Sequence, residues 1–254
     1  MVMAANQGEP HVPTTGRYLD QEKVRNALDL ATTYGASYAE VRLVSFTQSS
    51  VAMRDGILER AIPGQELGLT LRILADGAWG VHSTTDIASL PEQIESTTRL
   101  AKAVASRRAD GENQIGLADI PVFEDEQHWK SKLDVRHTEL DTKMDLMNDF
   151  YKGASQHKHV VSVTTGWSDE HIHTELMTSE GMDRAWSFQR SLVHGMVTAR
   201  DDAEVVSYRT RTGGQGGLEL IQGVDLTALG EQAQTAALRL LKAERAPSGK
   251  MPLI

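Results

Sequence analysis

The stretch Leu67 to Thr85, LGLTLRILADGAWGVHSTT, constrains this chain most strongly. Leu67, Leu69, Leu71 and Ile73 alternate with Gly68, Thr70, Arg72 and Leu74, which places an apolar set on one face of a strand. Asp76-Gly77 then supplies a tight turn, because glycine takes the positive φ that such a turn demands. Trp79, Val81 and Ser83 carry the alternation back. The segment predicts a β-hairpin packed in a sheet. Gly80, inside the return strand, predicts a bulge or a close backbone approach.

The surrounding patterns extend this into an α+β fold. Val24, Ala27, Leu28 and Ala31 recur at helical spacing between an N-cap at Asp20 and a C-cap at Gly35. Tyr38 to Phe46 and Gln48 to Arg54 read as two strands, Asp55-Gly56 as a second turn with a return over Ile57 to Ala61, and Pro63-Gly64 as a break. Ser89-Leu-Pro-Glu92 has capping-box spacing and opens a helix to about Arg108 with a stripe of Ile94, Thr97, Ala101 and Val104. Further on, Val135 to Ser155 predicts a helix with Leu140, Met144, Met147 and Tyr151 on its apolar face. A meander of short strands follows: Val160 to Trp167, His171 to Thr178, Asp183 to Val193, Met196 to Ala199 and Val205 to Thr210. Gly213 to Gly217 interrupts it. A last helix runs from an N-cap at Asp225 to about Arg245, and Met251 to Ile254 begins a strand. No strand-helix-strand alternation supports a parallel sheet. The expectation is two domains, each an antiparallel sheet with flanking helices: a flexible leader over 1–18, an N-terminal domain over 19–110, a linker over 111–132 and a central domain over 133–254.

Charge and composition exclude several classes. The 254 residues carry a net charge of −9, which argues against a general nucleic-acid binder. There is no cysteine, so no disulfide, thiolate zinc ligand or thiol nucleophile is available; a reducing compartment is compatible with that, and a cytoplasmic location is the expectation. No apolar run approaches the ~18 residues of a membrane span. The first residues lack the charged and apolar regions of a signal peptide.

Candidate chemistry is sparse. His171 and His173 alternate onto one strand face, the spacing of an incipient zinc site, but no third ligand can be named. The pair reads far more readily as two surface histidines on a polar strand face. His82 and His194 fall in predicted strands and read as packed or hydrogen-bonded. Gly213, Gly214, Gly216 and Gly217 lack the Gly-Lys-Ser/Thr ending of a phosphate loop. They fit either a hinge or a rim whose accessible backbone pairs with an extended peptide. No His is followed directly by Glu, and no Ser/His/Asp set can be assembled from sequence order.

Five ordered segments resemble one family: Gly35-Ala-Ser-Tyr-Ala-Glu-Val-Arg42, Arg54-Asp-Gly-Ile-Leu-Glu59, the Gly68 to Thr85 hairpin, Gly213-Gly-Gln-Gly-Gly-Leu-Glu219 and Pro247-Ser-Gly-Lys250. Their order and spacing are similar to the N-terminal and central parts of the TldD/PmbA family of modulators and zinc metallopeptidases. Ala78-Trp79-Gly80 and Pro247-Ser-Gly-Lys250 resemble the protease-competent TldD-type branch more than the PmbA/TldE-type partner. The resemblance implies a zinc site on a helix bearing H-E-x-x-x-H, downstream of a segment like Pro247 to Lys250. Two histidines there would bind zinc and the glutamate would activate water.

None of those ligands maps onto a position in this chain, so no catalytic residue and no metal ligand is expected in it, and no zinc is expected bound by it. The apolar ending suggests a chain cut within a strand, inactive alone and prone to association through an exposed patch. The family resemblance further implies dimers with a TldD-like or TldE-like subunit and cleavage of flexible peptides or unfolded protein in an enclosed cleft. This chain would supply scaffold, dimer surface and cleft walls, with Gly213, Gly214, Gly216 and Gly217 as candidate cleft lining. The alternative is a non-catalytic, TldE-like scaffold that binds peptides for a catalytic subunit. A third reading is a stand-alone metal-binding protein using His171 and His173.

Overall fold

The computed structural model describes residues 16–107, 115–244 and 249. Most of the 1–18 leader, the Met251 to Ile254 strand and all of Pro247 to Lys250 except Gly249 lie outside them. Helix α1 (Gln21–Thr33) is followed by strands β1 (Tyr38–Arg54), β2 (Ile57–Ala75) and β3 (Ala78–Thr84), then α2 (Leu90–Ala105) and β4 (Glu124–His128). A single 3₁₀ turn (Val135–His137) precedes α3 (Leu140–Ala154), β5 (Val160–Thr178), β6 (Asp183–Asp201), β7 (Glu204–Gln215), α4 (Glu219–Gln222) and α5 (Leu226–Leu241). The α+β expectation holds. The strands bond in the order β3-β2-β1-β5-β6-β4, and β7 also pairs with β6. β4, inside the stretch read as a linker, joins β6 in parallel from Glu124↔Asp183 to His128↔Ser187.

The opening hairpin forms as predicted, from Leu69↔Thr84 to Ala75↔Ala78. Asp76 and Gly77 both have positive φ, 50° and 72°, as a type I′ turn requires, and Asp55-Gly56 repeats this with 51° and 78°. Gly80 is a close approach: a Cβ there would lie 2.3 Å from the Thr97 carbonyl oxygen of α2.

Several boundaries differ from the sequence reading. The two strands expected over 38–54 are one strand, as are the pairs expected over 160–178 and 183–201. Polar residues in those gaps do not break a strand when one face is packed. Pro63 does not break β2 either. β3 pairs only as far as Leu69, so one side of β2 before that point lacks this neighbour, and a missing N–H costs little there. Gly213 and Gly214 continue β7 instead of interrupting it, paired to Leu192 and Ser191.

The Ser89 side chain makes no capping bond to the helix. Its hydroxyl donates to Asp86 at 2.6 Å, and the Asp86 carboxylate also accepts from the Ala88 amide. Val104 is 43% exposed, because α2 turns Leu90, Ile94, Thr97, Thr98 and Ala101 inward instead. On α3 the buried face is Lys143, Met147, Phe150 and Ala154, while Leu140 is exposed.

The described residues fall into two compact units. Unit 1 takes the described residues within 1–47, 64–130 and 171–188; unit 2 takes those within 48–63, 131–170 and 189–254. In unit 1 the predicted α1 face (Val24, Ala27, Leu28, Ala31) packs with Val41, Leu43, Leu71, Ile73, Ile94 and Met177. In unit 2, Met147 and Phe150 of α3 and Ala233 and Ala237 of α5 pack with Met53, Val163, Trp167, Val193 and Val197.

Candidate functional site

Unit 2 carries a cleft of about 330 Å³ lined by Gln48, Ser168, Asp169, Glu170, Arg190, Ser191, Leu192, Gly214 and Gln215. Three long strands bring these residues together: β1 gives Gln48, β5 gives 168–170 and β6 gives 190–192. The end of β7 forms the rim. Arg190 lies 3.1 Å from Glu170 across the floor.

A buried polar cluster supports that floor. Lys143 Nζ sits 2.6 Å from Asp169 Oδ2, with side chains 7% and 5% exposed. Lys143 also donates to Ser49 Oγ at 2.7 Å, Ser49 donates to Asp169 at 2.7 Å, and Trp167 Nε1 donates to the same carboxylate. An ion pair this dry holds only when hydrogen bonds satisfy its remaining atoms, as these do. Spacing alone could not single out Lys143, which occupies a helix position next to the apolar stripe.

Of the four glycines, Gly214 lines the cleft. Gly213 permits a close approach: a Cβ there would stand 2.1 Å from the Ser191 carbonyl oxygen. The Gly216 amide donates to the Gln189 carbonyl at 2.9 Å. Gly217 is held against Leu133, whose carbonyl oxygen would be 1.9 Å from a Cβ, and its own carbonyl accepts from Ser191 Oγ at 2.9 Å. The amides of Leu133 and Gly217 donate to Glu219 at 3.0 and 3.1 Å. Burial works against that carboxylate's charge, but backbone hydrogen bonds, led by Leu133, hold its pKa below the usual range. This anchors the turn out of β7.

The histidine pair is not on an exposed face. His171 and His173 are buried in unit 1. His173 Nε2 lies 2.9 Å from Glu175 Oε1, and the Tyr18 and Leu19 amides donate to the same carboxylate at 2.6 and 3.1 Å. His128 stacks on His173 with ring centroids 5.9 Å apart and bonds Ser187 at 2.8 Å. These donors and acceptors serve one another. Among the described residues no group of three or more His, Asp or Glu side chains is arranged to hold a metal ion. Among the described residues, His171 and His173 therefore do not make up a zinc site. His194 packs its ring over Gly166, where a Cβ would be 2.1 Å from the imidazole, and His82 is exposed.

Two family models match this chain. One, described as PmbA/TldA metallopeptidase domain 1, covers residues 39–105, and the other, the PmbA/TldA metallopeptidase central domain, covers residues 134–241. The chain belongs to the PmbA/TldD metallopeptidase family. Among its relatives, a metalloprotease of Methanothermobacter thermautotrophicus is 27% identical over 217 residues, 85% of this chain and 46% of its own length. Metalloprotease MJ0996 of Methanocaldococcus jannaschii is 27% identical over 237 residues, 93% of this chain and 50% of its own length. The chain therefore spans about half the length of either relative.

Solved structures share the PmbA/TldD fold. A putative modulator of a DNA gyrase from Thermotoga maritima superposes with a TM-score of 0.69 at 18% identity, covering 90% of this chain and 50% of that one. TldE from Thermococcus kodakarensis gives 0.59 at 14% identity, covering 85% and 47%. No helix among the described residues is long and apolar enough to cross a membrane.

Proposed function

We propose that these residues form the substrate-handling part of a TldD-like zinc metallopeptidase. They provide scaffold, subunit contact and cleft wall for flexible peptides, with a first domain over 19–110 and a central domain over 133–254. The observation that carries this reading is the pair of family matches, one to domain 1 and one to the central domain. The family resemblance implies that the metal-binding H-E-x-x-x-H helix follows a segment like Pro247 to Lys250. Zinc would polarise the scissile carbonyl and activate water there. Residues of this chain would instead hold an extended peptide along the Gly214-rimmed cleft and exclude water from it. The subunit partner is a TldD-like or TldE-like chain, in the cytoplasm. The metalloprotease names of both relatives at 27% identity favour this reading over a TldE-like scaffold.

The test is anisotropy of a labelled unstructured peptide titrated with the pure chain. Binding should saturate, and Ser168→Trp, which fills the cleft, should weaken it about tenfold with the fold intact. Equal affinity in Ser168→Trp would overturn the placement. No binding at all would overturn the reading.

A further inference from the structure

We infer that the β6–β7 surface of unit 2 selects extended peptides carrying acidic side chains two residues apart, read by Arg209 and Arg211; this rests on the peptide-handling reading above. The register pairs Arg209 with Met196 and Arg211 with His194. Residues directly opposite in a sheet share a face, and residues two apart on one strand do too. Arg209 and Arg211 thus stand side by side next to the His194 ring, which packs against Gly166. Arg190 and Arg200 lie on the same face of β6 by the same alternation, and the cleft's Glu170 is already paired with Arg190.

Neither Arg209 nor Arg211 has an ion pair among the described residues; Arg209 Nε only touches Met196 Sδ at 3.4 Å. In a chain of net charge −9 this is a local cationic strip. Its strand is open to a partner. Among the described residues β7 bonds to β6 alone, and every β7 residue is exposed or half-buried. An unpaired edge of this length accepts an added strand through its backbone.

The charge repeat fits that mode. A strand rises about 3.3 Å per residue, so the two guanidinium stems leave β7 about 7 Å apart. An added strand repeats at the same interval, and acidic side chains at i and i+2 on the open face fall opposite the two arginines. A nucleic acid would need a longer basic track than two arginines within an acidic chain.

The test compares three labelled peptides of one length, with Glu, Gln or Lys at alternate positions, titrated with the 254-residue chain at low and high salt. The Glu peptide should bind about tenfold tighter than the Gln peptide, the scale expected of two exposed charge pairs, and the preference should shrink in high salt. Arg209→Gln/Arg211→Gln should abolish the preference without changing thermal stability, while Arg239→Gln on α5 should keep it. Hydrogen exchange of residues 204–215 should slow when the Glu peptide binds. Equal affinity for the Glu and Gln peptides would overturn the inference and leave peptide handling standing. Binding of none of the three would overturn both. A preference that survives in the double variant, exchange unchanged along β7, or tighter binding of single-stranded DNA than of the Glu peptide would also overturn the inference.

Discussion

Lys143 and Asp169 show how one buried pair organises its surroundings. Both charges sit almost out of water, and Ser49 and Trp167 complete their hydrogen bonds. Removing one partner leaves the other charge buried and alone. Asp169→Ala should therefore cost about 3–5 kcal/mol in urea unfolding, and Lys143→Met/Asp169→Leu should cost less than Asp169→Ala alone. Equal losses would show that the charges do not compensate each other.

His194 makes a prediction in pH. Burial first, and then the charge of Arg209, hold its imidazole below its usual value of 6.5. Below that value the unfolded chain takes up a proton that the folded chain resists, so this contribution to stability falls as pH drops through the window beneath 6.5 and is flat above it. His194→Gln should flatten that part of the curve relative to the parent in urea titrations from about pH 5 to about pH 7.5. Neither pairing was legible in the sequence. Lys143 finds Asp169 across 26 positions, and the arginine alternation in Tyr208-Arg-Thr-Arg211 gains meaning only from the register that sets it beside His194.

Elements with a strong local rule were legible. The Asp76-Gly77 hairpin, the α1 stripe and the Asp20 and Asp225 caps all form as read, because turn chemistry and capping act over a few residues. Faces set by packing were not. α3 turns Lys143 inward where helical spacing offered Leu140 and Met144, since the cost of burying the ammonium is offset by Asp169 on β5. Strand lengths were underestimated for a related reason: neighbouring strands, not local polarity, keep a chain extended.

Gly80 and Gly68 separate these effects. Gly80→Ala would drive a methyl into the Thr97 carbonyl of α2 and should cost about 1–3 kcal/mol. Gly68→Ala meets nothing within 4 Å and should stay within about 0.5 kcal/mol. Equal costs would mean that α2 does not sit on Gly80.

At the scale of the molecule, each unit gathers three separate chain segments, and strands β1, β2, β5 and β6 each contribute to both units. A reading that runs along the chain sees helix, strands and helix twice, but not which strand ends pack together. The family resemblance was legible from five short segments because their order and spacing reflect that shared scaffold, and the family matches cover most of it. The proposed role is that these residues hold peptides without cleaving them. The most direct measurement incubates the pure chain with an unstructured fluorogenic peptide and zinc, with and without chelator, while following binding and cleavage together. The peptide should be bound and left intact under both conditions, with no stoichiometric zinc on the chain. Chelator-sensitive cleavage, with zinc retained and lost on changing His171 and His173 to Ala, would contradict it.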